Sequence, residues 1–458
     1  MRKGILIGLV VLLALVVVGG VYIVARLNQS GYLPRPATVT ADLAPTAVPL
    51  TPTTAESESA TEPAPTAMAA PTATATPMVA VTSTVEAEAE AAVTASPTPA
   101  AEAPGGEPTR VVPPPDEVNV PEGFGVSLFA EGLSDPRMMA LGPDGHTYLA
   151  ERGANRVVRL PDRDGDGVVD DVEPVVEGLS APSSIDFYED GSLYVGETRR
   201  VLRVTLTGSP PVADEVEVIV DGLPSGGHNT RTVLFSPDWE WLYVSVGSSC
   251  NVCVEEDPRR AAIVRYRPDG SGEEIYATGL RNAVGITFRP GTEELWATNN
   301  GRDWLGDDQP PETIYIVEEG DDAGWPRCHS GRIVDPDFGQ PGACEGVLDP
   351  AVEMQAHSAP LGLGFYTGTQ FPEAYQGDLF VAFHGSWNRS VPTGYKVVRI
   401  PIEDGQPAAV MDFATGWLRS DGSDWGRPVD VLTAGDSSLL ISDDDGGRIY
   451  RVFYSGAD

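Results

Sequence analysis

The chain has 458 residues, with 30 Lys and Arg against 67 Asp and Glu, for a formal net charge of -37. That acid excess excludes the basic footprint a phosphate backbone requires, so no nucleic acid is expected as a partner. With only 4 cysteines and 5 histidines, each thiol or imidazole becomes informative.

At the N-terminus, Arg2 and Lys3 precede an uncharged run from Gly4 to Ala25, closed by Arg26. A run of that length, about 20 residues, matches a bilayer core and exceeds a usual signal-peptide core. Residues 1–27 therefore read as a transmembrane signal anchor with the rest of the chain outside the cytoplasm, at the cell surface or in a periplasm; a cleaved signal is the alternative. Residues 28–115 are Ala, Thr, Pro, Ser and Glu with few aromatics, as in TPTTAESESATEPAPTAMAAPTATATP. Such a segment cannot bury enough apolar surface to offset ordering, so a disordered linker is expected.

Residues 116–458 repeat one phrase, a GL-type turn, an apolar strand, a P-D-G-like turn and a second strand. It reads GLSDPRMMALGPDGHTYLAER at 132–152 and GLSAPSSIDFYEDGSLYVGET at 178–198. It returns from residues 222 and 279, and more loosely from 359 and 426, each copy trailed by a strand such as RVVRL, AIVRY or KVVRI. Short strands, Gly/Pro/Asp turns and six copies predict an all-β, six-bladed β-propeller with four strands per blade. FGVSLFAE (124–131) is the candidate strand that closes the ring. A β-sandwich would not need six copies of one phrase.

In such a ring the phrase-opening loops converge on one end of the channel. They carry Arg137, Ser183 or Ser184, His228 with Arg231, Arg281 with Asn282, and Arg427. Clustered guanidinium groups repel one another unless they pair with acids such as Asp186 or Asp430, or enclose an anionic, multi-carboxylate ligand.

PDRDGDGVVDDVE places Asp162, Asp164, Asp166, Asp170 and Glu173 at positions 1, 3, 5, 9 and 12 of the twelve-residue calcium-loop consensus. Flanking strands make it a calcium-binding hairpin, or else a solvated acidic turn. Outside the cytoplasm, Cys250, Cys253, Cys328 and Cys344 favour disulfides Cys250–Cys253 and Cys328–Cys344, with a four-thiolate zinc site as the alternative. His357 and His384 are channel-lining candidates, whereas His146 sits in an exposed turn and His329 beside a cysteine. Trp325, Trp387 and Trp425 could stack on a planar ligand or pack between blades.

GGHNTRTVLF, GLRNAVGITF, NNGRDWLGDDQPPETIYIV, GWP, FHGSWNRS and GRPVDV occur in this order. Over about 120–454 the chain resembles the glucose/sorbosone dehydrogenase family of six-bladed quinoproteins, most of all its sorbosone dehydrogenase-like branch. The resemblance implies a domain that binds pyrroloquinoline quinone (PQQ) and Ca2+ and oxidises an aldose C1 hydroxyl or a sugar aldehyde such as sorbosone, passing electrons to an external acceptor. It implies His228 as general base, Arg281 and Asn282 at the quinone oxygens, and Arg427, Asn388 and Arg389 as cofactor anchors, with Arg231 a further contact. It also implies a calcium held by backbone carbonyls near Gly301 and Arg302, with Asp307, Asp308 and Glu312 as nearby carboxylates. The better-known glucose dehydrogenase branch orients its histidine with an aspartate; Ser248 stands here instead, beside a C-x-x-C without counterpart in that branch. The rival functions are a calcium-dependent lactonase and a non-enzymatic propeller that binds glycans or a protein.

Overall fold

The structure, a computed structural model, describes residues 118–456. The expected anchor (1–27) and linker (28–115) lie outside the described residues. Among the described residues no helix is long and apolar enough to cross a membrane.

The described residues form six four-stranded antiparallel sheets and two small hairpins. Each sheet is one blade, and the blades follow the six sequence copies. Blade 1 contains Pro136–Leu141, Thr147–Glu151, Arg156–Leu160 and Glu173–Glu177, in that order. Blade 6 contains Pro428–Thr433, Leu439–Asp443 and Arg448–Tyr454, and its fourth strand is Phe124–Glu131, paired antiparallel from Phe124 opposite Tyr454 to Glu131 opposite Arg448. The first strand of the domain thus closes the ring against the last, as its sequence predicts.

Cores lie between blades. Ala140, Tyr148, Val157 and Val175 of blade 1 pack on Ile185, Phe187 and Leu193 of blade 2, and the 5–6 and 6–1 seams repeat the arrangement. Central strands such as Thr147–Glu151 and Leu379–Phe383 are therefore buried on both faces, which is why they read as apolar runs rather than alternating ones. The tight turns between strands rely on glycine: Gly270 has φ +82, and a Cβ there would lie 1.9 Å from the Ile219 carbonyl oxygen.

Blade 4 departs from the pattern. Between Glu312–Val317 and its last strand, Val352–Met354, runs an excursion that carries the hairpin Cys328–His329/Ile333–Val334 and the Cys328–Cys344 disulfide. The Cys250–Cys253 bond also forms and no described cysteine is free, so the zinc alternative falls.

Each blade's innermost strand lines the channel. Met138, Val284, Leu361 and Val429, from blades 1, 4, 5 and 6, pack together and floor one end. Below them lies a cavity of about 360 Å3 bounded by the innermost strands, with Asp186 and Asp430 on its wall. The loops above the floor carry the candidate chemistry.

Candidate active site

Two sets of loops meet at the upper mouth: those entering the innermost strands and those joining the second and third strands. His228 lies on the first kind, Ser248 on the second. Gly227, at φ +63, lets them touch, since a Cβ there would sit 2.4 Å from the Ser249 carbonyl oxygen. The His228 amide donates to the Ser248 carbonyl at 2.9 Å. Its ring Nδ1 lies 3.0 Å from Ser248 Oγ and 3.2 Å from that carbonyl. Ser248 Oγ donates its own proton to the Cys250 carbonyl at 2.7 Å, so toward Nδ1 it can only accept. The ring is held as the Nδ1–H tautomer, with a lone pair on Nε2. Burial, with the charges of Arg281, Arg260 and Arg231, pushes the imidazole down to about 3, so it is neutral at ordinary pH.

The arginines do not form one ring around a vacant centre. Arg231 is fully buried and donates to the carbonyls of His228 (3.1 Å), Thr230 and Pro224; burial and Arg260 push it down to about 10. It holds the histidine loop from within, its guanidinium buried against these carbonyls with Nε left without a partner. Ser183 and Ser184 are likewise committed, both hydroxyls donating to the Arg231 carbonyl at 2.9 Å. Arg260 completes the wrapping, donating to the Gly226 (2.9 Å) and Gly247 (3.2 Å) carbonyls.

Arg281 is buried and paired with Asp303 at 3.0 Å; it also donates to the Asn251 carbonyl (2.9 Å), Asn251 Oδ1 (3.0 Å) and the Asn300 carbonyl (3.2 Å). Desolvation lowers its pKa even against Asp303. Asn282 Nδ2 donates to Asn300 Oδ1 at 3.1 Å. Its Oδ1 converges with His228 over Gly247, where a Cβ would lie 2.5 Å from His228 Cβ and 2.6 Å from Asn282 Oδ1.

Across the mouth, Arg427 donates to the His384 carbonyl at 3.2 Å and the Gly385 carbonyl at 3.4 Å, and makes no ion pair among the described residues. Asp444 holds His384 Nε2 at 2.9 Å and pairs with Arg137 at 2.5 Å. Among the described residues Asn388 has both side-chain Oδ1 and Nδ2 buried without a partner, and the Nε atoms of Arg137, Arg231 and Arg389 and Nε1 of Trp417 are likewise unpartnered. Its neighbour Arg389 is spent elsewhere, on the Asp307 carbonyl and on Asp308 at 3.0 Å, so the expected anchor instead ties the blade 4 loop to the blade 5 loop. Trp304 and Trp387, both about 60% exposed, meet edge to face at 5.3 Å on that tie. Trp325 is buried, donating to the Asn251 carbonyl at 3.3 Å, and Trp425 packs on Trp417.

The metal candidates separate in the same way. Asp162, Asp164 and Asp166 converge, their ligand oxygens lying within 4.8 Å of one another. Asp170 and Glu173 do not join them: Asp170 takes the Arg163 amide at 2.7 Å, and Glu173 pairs with Arg159 (2.6 Å) and Arg163. Two neighbouring guanidiniums outcompete the consensus geometry. At the second candidate, Arg302 turns its side chain away to Asp335 at 2.5 Å, leaving only its carbonyl to serve. The Gly301 amide donates to Glu312 at 2.6 Å, and burial pushes that carboxyl up to about 7. His357 Nε2 donates to the Gly306 carbonyl (2.8 Å), His329 is bonded to Asp335 (2.8 Å), and half-exposed His146 lines a cavity beside Asp162 and Asp436.

Sequence reasoning missed Arg260, Asn251 and the Asp444 partner of His384. The tandem Arg259-Arg260 ahead of a strand was a usable signal for the first; the other two depend on contacts between blades.

A family model described as Domain of unknown function (DUF7133) matches residues 115–445. An uncharacterised protein of Borreliella burgdorferi is 31% identical over 358 residues, covering 74% of this chain and 91% of the relative. The pyrroloquinoline quinone-dependent pyranose dehydrogenase of Coprinopsis cinerea is 25% identical over 410 residues, covering 73% of this chain; the chain spans only 54% of that relative. The holo form of its PQQ domain superposes with TM-score 0.66 at 23% identity, covering 75% of this chain and 98% of that one. The calcium structure of a Trichoderma reesei family AA12 enzyme superposes with TM-score 0.64 at 21% identity, over 74% and 97%. At these identities the superpositions show the fold, which is that of the PQQ-dependent sugar dehydrogenases. The expected sorbosone branch is not among these relatives.

Proposed function

We propose that this chain, which belongs to the DUF7133 domain family, is a PQQ-dependent oxidoreductase that oxidises a sugar, with His228 as the proton acceptor. The carrying observation is a neutral imidazole whose Nδ1 is occupied and whose Nε2 has no partner among the described residues, with Asn282 Oδ1 close by over Gly247.

The residues present fit the quinone on one independent ground. A buried, wholly unpartnered Asn388 amide costs about 1–3 kcal/mol per unmet group unless a ligand satisfies it. Asn388, Arg427 and Asn282 would hold PQQ, with Arg281 behind them; Arg231 and Arg389 would only brace the loops. When bound, PQQ supplies the hydride acceptor. The protein's part is to take the substrate hydroxyl proton on His228 Nε2, to keep Nδ1–H fixed on Ser248, and to stabilise developing negative charge with Asn282. For calcium, the carbonyls of Gly301 and Arg302 beside buried Glu312 suit a hard cation, and Asp162, Asp164 and Asp166 suit a second, structural one.

Substrate class, whether aldose C1 hydroxyl or sugar aldehyde, and the external electron acceptor follow from the family likeness. Two disulfides support an extracytoplasmic site of action; attachment to a membrane rests on the sequence of residues 1–27. The test is a titration of the full-length chain with PQQ and Ca2+, followed by dye reduction across aldoses and sugar aldehydes. Saturable quinone binding with substrate-dependent dye reduction is expected. Lactone hydrolysis without quinone, or glycan binding without any redox activity, would replace this reading.

A further inference from the structure

The four-residue turn closed by Cys250–Cys253 touches both halves of the base's environment. Its first carbonyl, that of Cys250, accepts the Ser248 hydroxyl proton at 2.7 Å, and this fixes Ser248 as acceptor for His228 Nδ1. Its second residue, Asn251, sits between the cysteines and reaches the other half. The Asn251 side chain accepts the Asp303 amide at 2.7 Å and Arg281 Nη2 at 3.0 Å, and donates to the Asp303 carbonyl at 3.1 Å. The Asn251 carbonyl takes Arg281 Nε at 2.9 Å and Trp325 Nε1 at 3.3 Å. Glu255 anchors the turn from outside through the Ser249 amide (2.6 Å) and hydroxyl (2.7 Å). The turn contains no helix or strand, so the covalent bond adds to these hydrogen bonds in holding the carbonyls in place, and both cysteines are only half-buried.

We propose that the Cys250–Cys253 turn is the positioning element that stands in for a carboxylate beside His228, and that reducing this bond uncouples the base from its hydrogen-bond chain. Cys250 and Asn251 are positioning residues; neither need touch substrate. Reduction by a dithiol delivers two electrons and two protons, leaving two thiols here and a cyclic disulfide on the reductant. The freed turn no longer presents the Cys250 carbonyl to Ser248, whose hydroxyl can then donate to His228 and favour the opposite tautomer. The groups facing the imidazole are Ser248, Arg281, Arg260 and Arg231, and no carboxylate is bonded to it.

The proposal rests on the reading of His228 as base, and the test separates the two. In full-length protein without cofactor, imidazole 15N shifts, assigned with His228→Asn, report tautomer and proton affinity. Cys250→Ser/Cys253→Ser and Asn251→Ala are compared with Cys328→Ser/Cys344→Ser, which opens the other disulfide. The first two are expected to move His228 off the Nδ1–H tautomer, read as an exchange of its two ring 15N shifts, while the third leaves them in place. With PQQ loaded, kcat should fall about tenfold at little changed KM. Unchanged His228 signals in both variants would overturn the proposal and leave the turn a mere staple. Moved signals with unchanged turnover would uphold the positioning and overturn the base assignment instead.

Discussion

Two histidines share one mouth and are supported in opposite ways. His228, between blades 2 and 3, rests on a hydroxyl and a carbonyl and is ringed by cations; His384, in blade 5, rests on the Asp444 carboxylate at 2.9 Å. Burial lowers both and neighbouring arginines add to it at both; what works against it is the hydrogen bond and charge of Asp444 at His384 and only the uncharged Ser248 carbonyl at His228. A carboxylate partner therefore does not by itself mark the base. On the reading proposed above, the base is instead marked by a neutral nitrogen with no partner among the described residues, close to Asn282, which could hold a developing anion.

The strongest way to break this comparison is to remove each member in turn. His228→Ala should lower kcat/KM by about 10²–10⁴-fold with an unchanged melting temperature. Asp444→Asn should do the reverse: it strands Arg137, whose side chain is 7% exposed, and should cost roughly 3 kcal/mol of unfolding free energy, read by denaturant titration. If Asp444→Asn abolished turnover while stability held, His384 would be the base and the roles would exchange.

The scaffold was legible in the sequence, and the family resemblance already implied His228 as base; which partners hold each site residue was not. The repeated GL, P-D-G and L-Y-V phrases are local signals of strands and turns, and each falls where a blade is. The Phe124–Glu131 strand was legible because an unpaired apolar run ahead of six copies must pair somewhere. Side-chain commitments were not legible, because they are settled between blades. Arg231, Arg389 and Arg427 look identical in sequence, yet Arg231 is bonded to the His228 and Pro224 carbonyls, Arg389 pairs with Asp308, and Arg427 donates to the His384 carbonyl. Glu173 fits the calcium consensus by spacing, but Arg159 and Arg163 reach it first. The excursion in blade 4 hid its own fourth strand, since the phrase there is interrupted by more than thirty residues, 318–351.

Carboxylates sharpen the comparison further, because they divide as the histidines do. Burial raises Asp444, but His384, Arg137 and Arg427 bring it below its ordinary value; Asp430, on the cavity wall, accepts the Met139 amide at 2.8 Å and burial pushes it up to about 7. Folded Asp430 thus binds its proton more tightly than the unfolded chain does. Between about pH 4 and 7 the folded state carries the extra proton, so stability should fall as pH rises, by up to about 1.4 kcal/mol per unit. Asp430→Asn should flatten that slope in melting curves taken across the window. Asp444 contributes in the opposite sense, stabilising above the unfolded carboxyl pKa and losing that contribution as pH falls through its folded one.

The smallest effect is the most discriminating. Ser248→Asp would give His228 the kind of partner His384 already has, in a position that is fully buried. A carboxylate there stabilises the imidazolium, so the proton affinity of His228 should climb from its depressed value and the acid limb of kcat/KM should move to higher pH. Above that limb the stronger base should raise the rate by up to about tenfold. The substitution also removes the proton that Ser248 gives to the Cys250 carbonyl at 2.7 Å, so part of the gain is expected to be lost to a looser turn. A shifted limb with a modest gain would show that the serine keeps His228 neutral at the expense of base strength. A limb that stays in place would mean that it belongs to another group, with His384, paired to Asp444, the first to test.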